Sequence, residues 1–90
     1  MAPVAETTPE VAHSARVVVI TRDGCHLCNE AVTIVETICG QSGTEWLAVD
    51  IDADETLRST YTDHVPVTFV DGREFSVWVL DADRLRAALT

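Results

Sequence analysis

Ninety residues set a single domain, and 15 acidic against 6 basic side chains give a net charge of −9 whose field repels phosphate backbones and excludes a nucleic-acid footprint. No apolar stretch approaches the roughly 20 residues of a membrane span. The N-terminus has no basic segment followed by an apolar one, so the sequence reads as a cytoplasmic protein with no signal or membrane contact.

Residues 1–15 read as a flexible tail, with Pro3, Pro9 and the pair Thr7-Thr8 among small residues that follow no strand or helix period. The domain is expected over 16–90. Val17-Val18-Val19-Ile20 is a continuous β-branched run, the pattern of a strand buried on both faces. Thr21-Arg22-Asp23-Gly24 is a turn. A helix follows over about Cys25–Cys39, with Ala31, Ile34, Val35 and Ile38 on one stripe and Glu30, Thr33 and Glu36 on the other. Gly40 is expected to stop it.

Trp46–Ile51 forms a second apolar strand, joined to the first through that helix, which implies parallel pairing by a right-handed crossover. A second helix is expected to start at Asp52, with Glu55 three residues on as in a capping box and Leu57 and Tyr61 one turn apart on its inner side. Pro66 closes this segment and holds Val65 extended. Val67–Val70 is a strand, Asp71-Gly72 a hairpin turn, and Phe75–Leu80 the returning strand. Asp81 caps a last helix that buries Leu85, Ala88 and Leu89. The order β-α-β-α-β-β-α predicts an α/β fold with a mixed four-stranded sheet flanked by helices.

The chemistry lies in the cysteines. Three is an odd number, which fits a disulfide-stapled secreted domain poorly. Cys25 falls at the first turn of a helix, after a strand and a Gly turn, where free N–H groups and the helix dipole favour a thiolate. Cys28 lies one helical turn further on the same side, so its sulfur can close a small ring with that of Cys25. In this arrangement Cys25 attacks a disulfide and Cys28 resolves the mixed disulfide. His26 and Leu27, between the two, should tune the centre. Three other readings remain open for the pair: a zinc knuckle, a soft-metal site and inert core thiols. Zinc needs a second ligand pair, and Cys39, His13 and His64 do not form one. Cys39 lies three helical turns beyond Cys28, about 16 Å along the axis, too far for a bridge, and is expected in the core.

Gly24-Cys25-His26-Leu27-Cys28, Val65-Pro66 before the third strand and the Asp71-Gly72 hairpin before a terminal helix, taken in this order, resemble the thioredoxin superfamily and within it the glutaredoxin-like proteins. The resemblance spans about Arg16–Leu89. It implies a thioredoxin-like fold, a cis Pro66 against the active-site cysteines, and a Val65 backbone that pairs with an extended substrate or thiol. Val19 stands where thioredoxins proper carry a buried acid, and the Trp usual before their motif is absent, which points to the glutaredoxin branch.

The resemblance further implies a thiol–disulfide oxidoreductase active in cell redox homeostasis, using Cys25 and Cys28, with Arg22, His26, Leu27, Val65 and Pro66 contacting substrate and no metal. No bound cofactor is expected. The electron donor is a reductase or a small thiol such as glutathione, and the substrate a protein or small-thiol disulfide. Of the usual glutathione site this sequence keeps only Arg22 and the Val65-Pro66 corner: His64 replaces a Thr, and Ser76–Asp81 lacks the Gly pair and the Thr-Asp or Cys-Asp. A monomer is expected. The alternative is a non-catalytic adaptor or metal-binding module on the same fold.

Overall fold

The sheet is built around β1 (Val17–Thr21), which pairs in parallel with β2 (Trp46–Asp50) and antiparallel with β3 (Val67–Val70). β4 (Arg73–Val77) pairs antiparallel with β3, giving the order β2-β1-β3-β4 in this computed structural model, which describes residues 10–90. Val17, Val18, Val19 and Ile20 are all fully buried, as expected of a central strand covered on both faces. Odd and even residues of β1 feed two separate cores. Val17 and Val19 meet Ala31, Val35 and Ile38 of α1 (His26–Ser42) and Leu85 of α3 (Ala82–Ala88). Val18 and Ile20 meet Ile51, Phe69 and Leu57, the last on α2 (Glu55–Tyr61). The result is the thioredoxin-like fold, a mixed four-stranded sheet with helices on both faces.

The first helix does not stop at Gly40. It continues to Ser42, and Gly43 takes the left-handed conformation (φ 69°) while the N–H groups of Gly43 and Thr44 both turn back to the Cys39 carbonyl. Ending a helix requires a residue that can reverse the chain and satisfy the last carbonyls, and Gly43 meets both conditions. Gly40 stays an exposed helical residue, at about 1 kcal/mol less helix stability than Ala.

The start of α2 also lies two residues later than Asp52. Asp54 is the cap, its Oδ1 accepting from the N–H groups of Thr56 (2.7 Å) and Leu57 (3.3 Å). Asp50 meanwhile caps a 3-10 turn, Ile51–Ala53, by accepting from Asp52 N–H. Four carboxylates in six residues, 50–55, offer several caps, and Ile51, fully buried, decides between them by turning into the core.

The returning strand runs over Arg73–Val77, not Phe75–Leu80, because the two-residue Asp71-Gly72 turn pairs Val70 directly with Arg73. Both turn residues have positive φ, 53° and 81°, as a primed hairpin turn requires. Asp71 is further held by Arg16, whose Nε donates to its carboxylate at 3.0 Å.

Residues 10–15, read from sequence as the end of a flexible tail, carry a 3-10 turn at Glu10–His13. It buries Ala12 in the α2-side core, with Val11 and Ala15 partly covered beside it. Packed structure therefore extends upstream of residue 16. The remainder of that tail, residues 1–9, lies outside the described residues. Among the described residues no helix is long and apolar enough to cross a membrane.

Candidate active site

Everything singled out from the motif gathers at one end of the sheet, where β1 finishes and α1 begins. Arg22 O accepts from Cys25 N–H (3.3 Å), closing a turn with Gly24 at φ 75° in its third position, the place a type II turn reserves for glycine. That turn delivers Cys25 as the N-cap of α1, with extended backbone (φ −97°, ψ 115°) and its carbonyl accepting the first helical hydrogen bond from Asn29 (3.1 Å). Its Sγ accepts from the N–H of Cys28 at 3.1 Å, the bond a capping Ser or Asp oxygen would accept.

Cys25 and Cys28 are joined as a disulfide with Cα atoms 5.1 Å apart. The two sulfurs differ in setting. Cys25 is half-buried, whereas Cys28 is 1% exposed and its Sγ accepts from Arg22 N–H at 3.4 Å. Of the two sulfurs, that of Cys25 is the more accessible from solvent. Cys39 is free and buried, and burial pushes its thiol pKa up, with Arg16 opposing weakly, so it is a poor nucleophile at the far end of the helix.

The flanking residues take distinct places. His26 lies exposed on the helix surface with Nε2 3.1 Å from a Glu30 carboxylate oxygen, and among the described residues no hydrogen bond joins it to either sulfur. Leu27 is 39% exposed, an apolar side chain presented beside the cysteines. Arg22 is turned inward: its two terminal nitrogens donate to the carbonyl (3.1 Å) and hydroxyl (2.7 Å) of Thr62 at the end of α2. This tie clamps the end of β1 to the loop that leads into β3.

The Val65-Pro66 bond is cis. Continuing the β1–β3 register, in which Ile20 faces Val67, places Pro66 opposite Thr21 and Val65 opposite Arg22, beside the turn that carries Cys25. Pro66 is buried and its carbonyl accepts from Trp78 N–H (2.8 Å). Val65 is half-buried, and its backbone N–H and C=O have no partner among the described residues. A cleft of about 400 Å³ opens on the β2 side of the same turn, lined in part by Thr21, Arg22, Asn29, Val32, Thr33 and Asp50. Among the described residues no group of three His, Cys, Asp or Glu side chains is arranged to hold a metal ion.

Two residues of this corner escape a reading of the motif alone. Thr62 carries no signal in sequence. Trp78 was legible only as one residue of an apolar strand. It stands instead past the strand end, 52% exposed, its indole N–H donating to Asp63 O (2.9 Å) and its ring stacked on His64 (centroids 6.3 Å, 7° between planes).

Residues 16–90 match the family described as glutaredoxin-like domain (DUF836). The X. campestris protein XcR50, in its X-ray structure, is 40% identical with a TM-score of 0.64, the match covering 81% of this chain and 93% of that one. Protein Ne2328 of Nitrosomonas europaea, solved by NMR, is 33% identical with a TM-score of 0.69 over the whole of both chains. Glutaredoxin C1 of Populus tremula x tremuloides is 26% identical with a TM-score of 0.55, covering 84% of this chain and 75% of that one.

Proposed function

This chain belongs to the glutaredoxin-like family, and on that premise we propose that it is a thiol–disulfide oxidoreductase of a reducing compartment such as the cytoplasm, acting as a monomer. The Cys25 thiolate attacks one sulfur of a substrate disulfide, forming a mixed disulfide and releasing the first substrate thiol. Cys28 then loses its proton and attacks the Cys25 sulfur. The second substrate thiol leaves, and the protein is left oxidised at Cys25–Cys28. Two electrons pass from the protein to the substrate, and a small thiol or a reductase returns them.

The observation that carries this reading is the cap itself. A half-buried sulfur sits where a helix presents unsatisfied N–H groups, with a buried second sulfur within bonding reach. The Val65 backbone supplies the complementary part, an open donor and acceptor for an extended substrate. Arg22 serves here as a positioning residue through Thr62 and not as a free cation for a ligand carboxylate.

The test is a coupled reduction of a disulfide substrate with glutathione plus its reductase, or with thioredoxin reductase, comparing the wild type with Cys25→Ser. Turnover only in the wild type supports the reading. Equal rates in the two proteins, or stoichiometric metal bound through Cys28 under reducing conditions, would replace it with the adaptor or metal-binding module.

A further inference from the structure

Trp78 occupies a backbone conformation that its side chain disfavours. Its φ is 64°, and Val79 N–H donates to Val77 O (2.8 Å) across it, the hydrogen-bonded span of a γ-turn. A bulky residue at positive φ is an outlier that persists only when its surroundings over-determine it. Here three contacts do so: the backbone N–H to Pro66, the indole N–H to Asp63 and the stack on His64. None of them buries the ring, since Trp78 stays 52% exposed and Val79 beyond it 70% exposed. The strain is thus spent on holding an indole in solvent one strand from the cis proline.

Two exposed carboxylates belong to this corner of the fold. Asp23, in the turn before Cys25, and Asp63, whose backbone carbonyl accepts the indole N–H, are exposed and form no ion pair among the described residues. Arg22, the cation of the turn before Cys25, is committed to Thr62. The chain as a whole carries −9. An anionic ligand is disfavoured here, whereas a cation over the face of a tryptophan is attracted both by the ring and by the carboxylates.

We propose that Trp78 and His64 form a specificity platform for a polypeptide disulfide substrate that carries a lysine or arginine next to its reactive cysteine. This rests on the dithiol chemistry proposed above, and the redox step is the same: the peptide disulfide gains two electrons and becomes two thiols as Cys25 and Cys28 become a disulfide. The extended peptide pairs with the open Val65 backbone on the β1 side of β3, and the neighbouring cationic side chain reaches across to the indole on the β4 side, two strand spacings or about 10 Å away.

The experiment compares three disulfide peptides that differ only in the residue beside cysteine, Lys, Leu or Glu, with bis(2-hydroxyethyl) disulfide as a featureless substrate. The wild type should favour Lys over Glu by roughly tenfold in kcat/KM, with Leu between. Trp78→Gly, which accepts positive φ freely, should bring that ratio to about threefold or less, and Trp78→Phe should keep most of it. Equal wild-type rates on Lys and Glu peptides, a preference for Leu, or an unchanged ratio in Trp78→Gly would each overturn the platform while leaving the dithiol reading intact if the featureless disulfide is still reduced. Failure to reduce any of the four disulfides would overturn the dithiol reading and the platform with it.

Discussion

The Sγ of Cys25 accepts the backbone N–H of Cys28 at 3.1 Å, so the amide of the proposed resolving residue holds the sulfur proposed to attack. That bond belongs to the helix backbone and survives replacement of the Cys28 side chain. Cys28→Ser should therefore retain the first half of the exchange and stop there, accumulating a mixed disulfide on Cys25. Intact-mass analysis after incubation with a disulfide peptide should show one adduct per protein in Cys28→Ser and none in Cys25→Ser. An adduct on Cys39 in either variant contradicts the assignment.

Arg22 joins the end of β1 to the end of α2 through two hydrogen bonds to Thr62. Removing the guanidinium in Arg22→Ala leaves the Thr62 carbonyl without this donor and loosens the loop that carries Val65. We expect a stability loss of about 1–2 kcal/mol in urea unfolding, because bonds from a charged donor exceed neutral ones. KM for a peptide disulfide should rise more than kcat falls. A free Arg22 that served only as a ligand cation would leave the unfolding midpoint unmoved.

Thr68 sits in the middle of β3, opposite Val19, 1% exposed, with its hydroxyl unpartnered among the described residues. Burying a hydroxyl without a hydrogen bond costs about 1–3 kcal/mol. Thr68→Val keeps the shape and removes the oxygen, so the variant should be more stable by about 1 kcal/mol. Loss of stability in equilibrium unfolding would show that the hydroxyl has a partner in solution.

Gly72 has φ 81°, and a Cβ built there would meet the His13 imidazole. Gly72→Ala should lower stability by about 1–3 kcal/mol, combining a disfavoured backbone with displacement of the 3-10 turn that buries Ala12. Asp71→Gly should fall within about 1 kcal/mol of the wild type, because it eases its own positive φ while losing an exposed pair with Arg16.

The sheet, the helices and their order were legible because each rests on a local signal: the β-branched run 17–20, the 3.6-residue stripe through Val35, the Asp71-Gly72 turn and the Asp81 cap. The spacing of the cysteine pair was legible for the same reason, whereas the cis bond at Pro66 was expected only from the family resemblance. Boundaries shifted where several residues could serve one role. Gly40 and Gly43 both could end α1, and Asp50, Asp52 and Asp54 all could cap; the burial of Ile51 and the reversal at Gly43 decide, and both are tertiary. Arg22 was identified, but its partner Thr62 is 40 residues away and no pattern links them. Trp78 was hidden differently: a Val-Trp-Val run reads as strand, and only the three contacts that hold its positive φ take it out of the ladder.

The most direct test of the account is the pH dependence of iodoacetamide alkylation of the fully reduced protein, with modified cysteines mapped by mass spectrometry. Cys25 should react first, its rate rising with pH as the thiolate forms and reaching half-maximum below the ordinary cysteine value of about 8.5. Cys28 and Cys39, both buried, should stay unmodified until the protein unfolds. Earlier reaction at Cys28 or Cys39, or a Cys25 profile at or above the ordinary value, would contradict an attacking thiolate at the start of α1.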